Sequence, residues 1–149
     1  MEEDKMKKFI ALLLALVTAL SLVACGSKDS GTDGDVIQVG IFEPTSGQNA
    51  AGGKKEILGI EYAHSLKPTV TINGKEYKIQ LVVADNASEQ AKAPAAAQTL
   101  ISKGVSVVIG TYGSGCAIAA GKLFESAKIP AIGTSCTNPQ VTQGNDYYF

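Results

Sequence analysis

The stretch from Gly104 to Pro139, GVSVVIGTYGSGCAIAAGKLFESAKIPAIGTSCTNP, decides the fold. It opens with a short β-branched apolar run, Val105–Ile109, which is typical of a buried strand. A turn of small polar residues follows, and then a helical segment from about Cys116 to Lys128. A second apolar run, Ile129–Ile132, ends in another small polar turn. The order strand, turn, helix, strand, turn predicts a parallel α/β sheet.

The two turns of this stretch, 110–115 and 133–139, are candidate ligand-binding segments. Turns at the carboxyl ends of parallel strands bind ligands in open α/β sheets. Both turns consist mainly of Gly, Ser and Thr, and neither contains a phosphate loop, a catalytic base or a cluster of metal ligands. They supply hydroxyl groups, backbone N–H groups and helix N-termini, which suit a small anionic group.

Composition sets limits on the function. The chain has 149 residues, enough for one domain or part of one, and its 45% hydrophobic content permits a core. A formal net charge of -1 gives no electrostatic basis for binding nucleic acid. All 13 basic residues are lysines, so bidentate arginine recognition of a ligand is excluded within the chain. The single histidine, His64, has no Cys, Asp or Glu in ligand register, so neither a metal nor a cofactor is predicted.

The first 24 residues have the features of a secretory signal peptide. Lysines at positions 5, 7 and 8 precede the apolar run Phe9–Ala24, which is shorter than the about 20 residues that a membrane span needs. The run ends in Leu22-Val-Ala-Cys25, which resembles the lipobox of bacterial lipoproteins. That resemblance implies a protein anchored to the cell membrane by a lipid on Cys25. An ordinary signal peptide or an uncleaved anchor is the alternative.

The rest of the chain divides into a tether and a folded domain. Residues 25–35 are rich in glycine and polar side chains, which predicts a flexible tether. Residues 36–149 are predicted to form the domain, with a first strand at Val36–Phe42 and a first helix at about Gly53–Leu66. Apolar residues recur in that helix at helical spacing and are expected to pack on the sheet: Leu58, Tyr62 and Leu66.

Local signals predict a hairpin of two strands and, at the end of the sequence, the start of another strand. Asn73-Gly74 predicts a hairpin between Thr69–Ile72 and Tyr77–Val83. Tyr147–Phe149 is typical of a strand that is just beginning. The chain is therefore expected to be part of a longer protein.

The second helix has conflicting start signals. Asn86 and Glu89 have the spacing of a capping box for a helix that runs to about Lys103. Pro94 lies beyond the first turn of such a helix, which predicts either a kink or a later start. Gly104 is a natural stop after the last turn.

The ordered set of segments resembles the substrate-binding lipoproteins of ABC transporters, specifically the leucine/isoleucine/valine-binding type of type I periplasmic binding protein. The segments that carry this resemblance are Val39–Gly47, Asp85–Asn86, Ser88–Gly104, Val107–Gly110, Ile129–Ile132 and Thr137–Pro139. Members of the family have two α/β lobes that close around the ligand. The resemblance implies a parallel, doubly wound sheet, of which residues 36–149 would form an incomplete first lobe.

The resemblance also implies a function and a set of ligand-binding residues. The protein would bind an amino acid, branched-chain or similar, outside the cytoplasm and deliver it to ABC permease subunits. The ligand's carboxylate would be bound in the turn Tyr112-Gly113-Ser114, where Ser114 supplies a hydroxyl. Thr137 would also bind the carboxylate, and the backbone carbonyl of Ser135 would lie near the ammonium group.

Other interpretations remain for the function and for individual residues. An extracellular ligand-sensing domain of a receptor shares this fold. An enzyme is not predicted, because Tyr112–Cys116 lacks the G-x-S-x-G spacing of a nucleophile elbow. Ser114 is also a candidate helix N-cap, a role compatible with ligand binding. Gly52 stands where the family often has an aromatic residue, and Cys116 and Cys136 are a candidate disulfide.

Overall fold

The structure is a computed structural model and describes residues 35–149. The predicted signal peptide, the lipidation site Cys25 and nearly all of the predicted tether lie outside the described residues. Within residues 35–149, no helix has both the length and the apolar character that crossing a membrane requires.

A five-stranded sheet lies at the centre of this part of the chain, in the order β2-β3-β1-β4-β5. The strands are β1 (Val36–Glu43), β2 (Thr69–Ile72), β3 (Lys75–Asp85), β4 (Val107–Ile109) and β5 (Ala131–Ile132). β1, β3, β4 and β5 are parallel, whereas β2 is antiparallel to β3. Tyr148 forms a parallel bridge to Ala131, so another strand begins beyond β5 as predicted. The parallel α/β prediction is confirmed.

The hairpin between β2 and β3 turns at Asn73 and Gly74. Their φ angles are 52° and 81°. Positive φ at both central residues defines the type I′ turn, whose twist matches that of the paired strands. Ile72 pairs with Lys75 in the register that this turn requires. The hairpin prediction is therefore confirmed.

Three helices connect the strands: α1 (Ala50–Leu66), α2 (Ala93–Ser102) and α3 (Ser114–Ser126). A 3-10 helix, Pro139–Val141, follows β5. α2 joins β3 to β4 and α3 joins β4 to β5, so both helices begin at the carboxyl edge of the sheet and run back to its amino edge.

The start of α2 resolves the conflict in the sequence. The helix begins at Ala93, so Pro94 lies in its first turn, where the missing N–H has no intrahelical partner to lose. The predicted later start is correct, and the capping box of Asn86 and Glu89 is wrong because Lys92 is the N-cap. Gly104 has a φ of 74° directly after the helix and is the expected stop.

The core lies on the face of the sheet that α2 and α3 cover. Phe42 of β1, Val108 of β4, Leu100 of α2 and Phe124 of α3 are all fully buried there. The Phe42 and Phe124 rings meet edge to face, with centroids 5.5 Å apart and planes at 82°, a favoured aromatic geometry. Burial of each such side chain stabilises the fold by about 1.5–3 kcal/mol.

The opposite face of the sheet carries α1, whose orientation differs from the prediction. Leu58, Tyr62 and Leu66 are 64%, 67% and 69% exposed, so the expectation that they pack on the sheet is wrong. Two polar contacts orient the helix instead. Glu56 reaches the segment after β5, and His64 Nε2 lies 2.9 Å from the Ile79 carbonyl oxygen. These contacts turn the apolar stripe away from the sheet.

A cavity of about 440 Å³ lies between α1 and the sheet. Its walls are mostly apolar and include Ile60 and Ala63 of α1 and Val39, Leu81 and Ile109 of the strands. The small side of α1, with Gly59 and Ala63, does not fill this space. The sheet therefore has one tightly packed face and one loosely packed face among the described residues.

Candidate functional site

The candidate site lies at the carboxyl edge of the sheet, where four parallel strands end together. Of the four segments that leave the sheet there, three flank the predicted ligand-binding residues. They are named here loop A (44–49, after β1), turn B (110–113, after β4) and turn C (133–138, after β5). The predicted ligand-binding residues lie in turn B, in turn C and at the start of α3.

Ser114, the first residue of α3, links this helix to turn C. Its Oγ accepts hydrogen bonds from the backbone N–H groups of Thr137 at 3.1 Å and Asn138 at 3.2 Å. A serine hydroxyl that accepts two bonds still has its own hydrogen to donate. The N-cap of α3 is Gly113, and Ser114 is the first helical residue, so the N-cap interpretation of Ser114 is wrong.

The other two predicted side chains of turn C have different surroundings. Ser135 Oγ donates to Oε1 of Glu56 on α1, so this hydroxyl points towards the helix. Thr137 is exposed, and within residues 35–149 its hydroxyl makes no hydrogen bond. The structure thus brings Ser114 and Thr137 together, and leaves the Thr137 hydroxyl facing solvent at the sheet edge.

Tyr112 of turn B lies against Gly52 of α1. A Cβ atom built on Gly52 would lie 2.6 Å from carbons of the Tyr112 ring, which is closer than real contacts allow. The ring is 42% exposed. A side chain at position 52 would occupy the space of this ring. Because Gly52 has no side chain, the Tyr112 ring of turn B fits against α1 at this position.

Glu43, at the end of β1, is a buried site residue that sequence reasoning missed. Its carboxyl group is fully buried. Oε2 accepts a hydrogen bond from the Tyr112 N–H at 2.8 Å, and Oε1 lies 3.2 Å from Thr134 Oγ1. The same Thr134 hydroxyl also contacts Glu56. Glu43 therefore contacts both turn B and turn C. Because the Tyr112 N–H is bound to Glu43, it is not available to a ligand.

The surroundings of Glu43 favour its neutral form. The pKa of Glu43 is raised to about 8, above all by burial and then by the hydrogen bond and charge of the neighbouring Glu56 carboxyl group. The hydrogen bond from Tyr112 acts in the opposite direction, as does a bond that Thr134 would donate to the ionised carboxylate, and both are outweighed. At neutral pH, Glu43 is a carboxylic acid that can donate a hydrogen bond.

Asp85, at the end of β3, holds loop A in place. Its Oδ1 accepts from the N–H groups of Thr45 at 2.8 Å and Ala87 at 2.8 Å, and its Oδ2 accepts from the Ser46 hydroxyl at 2.6 Å. Burial alone would raise the pKa of Asp85, but the hydrogen bonds, led by that of Ser46, bring it well below its usual range. Asp85 is an ionised anchor for the loop.

Several buried contacts fix turn B from below. Asn86 Nδ2 donates to Thr111 Oγ1 at 2.8 Å, and the Tyr148 hydroxyl donates to the Gly110 carbonyl at 2.7 Å. Cys116 and Cys136 are both free thiols, so the predicted disulfide is not present. The Cys136 thiol instead lies 3.0 Å from the Thr111 carbonyl. Turn B thus rests on a rigid hydrogen-bonded base.

The described residues offer hydroxyl, N–H and carboxyl groups at this edge. Within residues 35–149, no group of three or more His, Cys, Asp and Glu side chains could hold a metal ion. His64, in the last turn of α1, contacts the Ile79 carbonyl of β3, and within the described residues it makes no hydrogen bond to turn B or turn C. The arrangement suits non-covalent binding of a small polar molecule.

A comparison with protein-family models matches residues 36–149 to the periplasmic binding protein family. The chain belongs to this family. The resemblance that the sequence motifs suggested is confirmed, and so is the type I periplasmic binding protein fold.

Two relatives illustrate the similarity in sequence. The amino acid binding protein of Pseudomonas aeruginosa is 34% identical over 139 residues, covering 92% of this chain and 34% of that protein. Leu/Ile/Val-binding protein homolog 1 of Brucella abortus is 31% identical over 129 residues, covering 86% of this chain and 34% of that protein. The chain spans about a third of the length of these relatives.

Two solved structures illustrate the similarity in fold. The leucine binding protein LivK of Thermotoga maritima superposes with a TM-score of 0.69 and 32% identity, covering 75% of this chain and 31% of that chain. The branched-chain amino acid transporter substrate binding protein LivJ of Streptococcus pneumoniae, solved with isoleucine, gives 0.67 and 33% identity. That match covers 76% of this chain and 33% of LivJ.

Glu43 and Asp85 left a weak signal in the sequence. Each is an acidic residue directly after an apolar strand, and the two pair in register across β1 and β3. Acidic residues at the carboxyl ends of neighbouring parallel strands are candidates for positions near a site. Their protonation states, however, depend on partners such as Tyr112 and Thr134 that lie far away in the chain.

Proposed function

We propose that the protein is the extracytoplasmic solute-binding component of an ABC importer, and that it binds an amino acid, branched-chain or similar, for delivery to the permease. Relatives named as amino acid and Leu/Ile/Val-binding proteins support this proposal. The observation that carries it is the Ser114 hydroxyl, which accepts two bonds from turn C and keeps one hydrogen to donate at the N-terminus of α3.

In this proposal the ligand's carboxylate lies between turns B and C. The hydroxyls of Ser114 and Thr137 donate to it, and the first N–H groups of α3, beginning near Gly113, add the positive end of the helix dipole. The backbone carbonyl of Ser135 accepts from the ammonium group. Tyr112 contributes its exposed ring to the ligand's side chain, because its N–H is bound to Glu43.

Binding rather than catalysis fits this set of groups. Within residues 35–149, Ser114 Oγ contacts backbone N–H groups and no base, so no group in this part of the chain removes its proton to make a nucleophile. The neutral hydroxyl is instead a directional donor. A hydrogen bond to a charged group contributes about 1.5–3 kcal/mol, which suits reversible capture of a zwitterion.

The N-terminal segments complete the proposal. We infer that residues 1–24 are a lipoprotein signal peptide, that residues 25–35 are a tether, and that residues 36–149 belong to the first lobe of the domain. The motivation is the sequence Leu22-Val-Ala-Cys25 after an apolar run. Cys25→Ser is expected to abolish incorporation of labelled fatty acid. Labelling equal to that of the wild type would contradict the anchor at Cys25.

Isothermal titration of the full-length protein with leucine, isoleucine, valine and the other amino acids tests the function. Ser114→Ala is expected to weaken binding by about 10- to 150-fold. Ser126→Ala at the far end of the same helix is the matched control, since its hydroxyl only contacts the Lys122 carbonyl. Failure of the wild type to bind any amino acid would contradict the proposal, as would equal affinities for wild type and Ser114→Ala.

A further inference from the structure

Two hydrogen-bond contacts at the sheet edge need more hydrogens than the hydroxyl between them supplies. Thr134 Oγ1 lies 3.2 Å from Glu43 Oε1 and also contacts Glu56 Oε2. A threonine hydroxyl has one hydrogen, and an ionised carboxylate has none. Both contacts are hydrogen bonds only if one of the two carboxyl groups carries a proton.

The geometry places that proton on Glu43. Glu43 is fully buried, whereas Glu56 is only partly buried, and burial penalises the charged form of a carboxyl group. Glu43 Oε2 already accepts the Tyr112 N–H at 2.8 Å. The proton therefore lies on Oε1, which faces Thr134 and Glu56, and Thr134 gives its own hydrogen to Glu56.

We propose that Glu43 is a positioning residue, whose protonated carboxyl group joins turn B to turn C and so holds the two ligand-binding turns in register. It acts through Tyr112 in one turn and Thr134 in the other. This inference rests on the proposed function for its ligand-binding consequence. The link between the turns themselves is independent of the ligand.

The arrangement makes ligand affinity depend on pH. Loss of the Glu43 proton removes a hydrogen from the contact with Thr134 and leaves a second carboxylate facing Glu56. This link between the turns is then lost, and turn C keeps its contacts with the Thr111 carbonyl and with Ser114 Oγ. The other titratable groups near Glu43 are Cys136 of turn C and Tyr148 of the C-terminal segment. Burial raises the pKa of both groups, so the shift is away from the range in which Glu43 ionises.

Glu43→Gln separates this role from simple space filling. The amide keeps the shape of the acid, its oxygen can accept the Tyr112 N–H, and its NH₂ group can donate to Thr134 without titrating. Glu61→Gln is the matched control, because it makes the same acid-to-amide change at an exposed position on α1. Titration of the ligand's own ammonium group affects all three proteins alike.

The experiment measures the Kd of the full-length protein for leucine at pH 6.5 and pH 9. The wild type and Glu61→Gln are expected to lose about tenfold in affinity over this range, since pH 9 is about one unit above the pKa of the acid. Glu43→Gln is expected to lack this loss and to change in Kd only as the ligand's own ammonium group titrates. Equal pH dependence in wild type and Glu43→Gln would overturn the proposal.

A second measurement needs no ligand and therefore separates this inference from the proposed function. Hydrogen exchange of Glu43→Ala is expected to show faster exchange in turns B and C, including the Tyr112 amide, with no change in α2. Unchanged exchange in both turns would overturn the positioning role. If the wild type binds no amino acid while the turns still loosen in Glu43→Ala, the proposed function fails and the link between the turns stands.

Discussion

Glu43 and Asp85 lie side by side at the carboxyl edge of the sheet, but Glu43 is neutral and Asp85 is ionised. They pair in register across β1 and β3. Asp85 is surrounded by N–H and O–H donors, which lower its pKa although burial opposes them. Glu43 is buried and faces another carboxyl group, so its pKa rises to about 8. Burial and the number of donors around each carboxyl group decide its charge, not its strand position.

This difference in charge divides the carboxyl edge of the sheet into two regions that respond differently to pH. Loop A is held by charge-assisted bonds to Asp85, and such bonds are roughly twice as strong as neutral ones. Turns B and C are joined by the neutral acid of Glu43. The first region is expected to resist a rise in pH, and the second to loosen as Glu43 ionises.

Glu43→Ala is expected to have the largest effect on stability. It leaves the Tyr112 N–H without its partner and creates a void in a fully buried place. The combined cost is expected to be about 2–4 kcal/mol. Urea unfolding of the full-length protein measures it. A smaller loss of unfolding free energy in Glu43→Ala than in Asp85→Ala would mean that Asp85 contributes more to stability than Glu43.

Asp85→Ala is expected to cost less, about 1–3 kcal/mol. Four donors of loop A and its neighbours lose their acceptor, but Asp85 is exposed, so water replaces part of the lost bonding. Limited proteolysis should reveal cleavage within residues 44–49 in this variant. Cleavage in turn C instead of loop A would show that Asp85 does not hold the loop.

The pH dependence of stability should differ in sign for the two carboxyl groups. The folded pKa of Glu43 is about 8 against an ordinary value of 4.5, so its stabilisation is fully present below pH 4.5 and is lost as pH rises to about 8. The slope is at most about 1.4 kcal/mol per pH unit. Asp85 has a lowered pKa, so its contribution is present above pH 3.8 and is lost in more acidic solution.

Unfolding of wild type and Glu43→Gln across pH 5 to 9 checks this sign. The unfolding free energy of the wild type should fall relative to that of Glu43→Gln as pH rises from 5 to about 8, and the difference should level off above that pH. A constant difference would mean that Glu43 does not titrate there.

The smallest effects are expected from two glycines of α1. Gly59→Ala places a methyl group in open space and should stabilise the protein by about 0.5–1 kcal/mol, because alanine favours a helix interior. Gly52→Ala would push the Tyr112 ring aside and should weaken leucine binding with little gain in stability. Melting temperatures and titrations of both variants compare them. Equal affinities for the two variants would remove Tyr112 from the proposed site.

The sheet was predictable because its signals are local. The β-branched run at Val105–Ile109, the Asn73-Gly74 turn and the stop at Gly104 each specify their own backbone conformation. The face of α1 was not predictable from such signals. Leu58, Tyr62 and Leu66 form the more apolar stripe, yet the contacts of Glu56 and His64 with distant segments decide the rotation of the helix.

The candidate site was predictable only in part. The hydroxyl-rich turns that contain Ser114 and Thr137 could be placed at one edge, because parallel strands end together. Glu43 could not be assigned, because its state depends on Glu56, Tyr112 and Thr134, which are separated from it along the chain. Only the folded structure brings these groups into contact.

The most direct test of the account uses Thr137, whose hydroxyl has no hydrogen-bond partner within residues 35–149. Titrations of the full-length protein compare leucine with leucinamide, which lacks the carboxylate. The proteins compared are the wild type, Thr137→Ala and the control Thr99→Ala, which changes an exposed position of α2. Thr137→Ala is expected to weaken leucine binding by about 10- to 150-fold and to leave leucinamide binding unchanged. Equal losses for both ligands, or none for leucine, would contradict carboxylate binding by turn C.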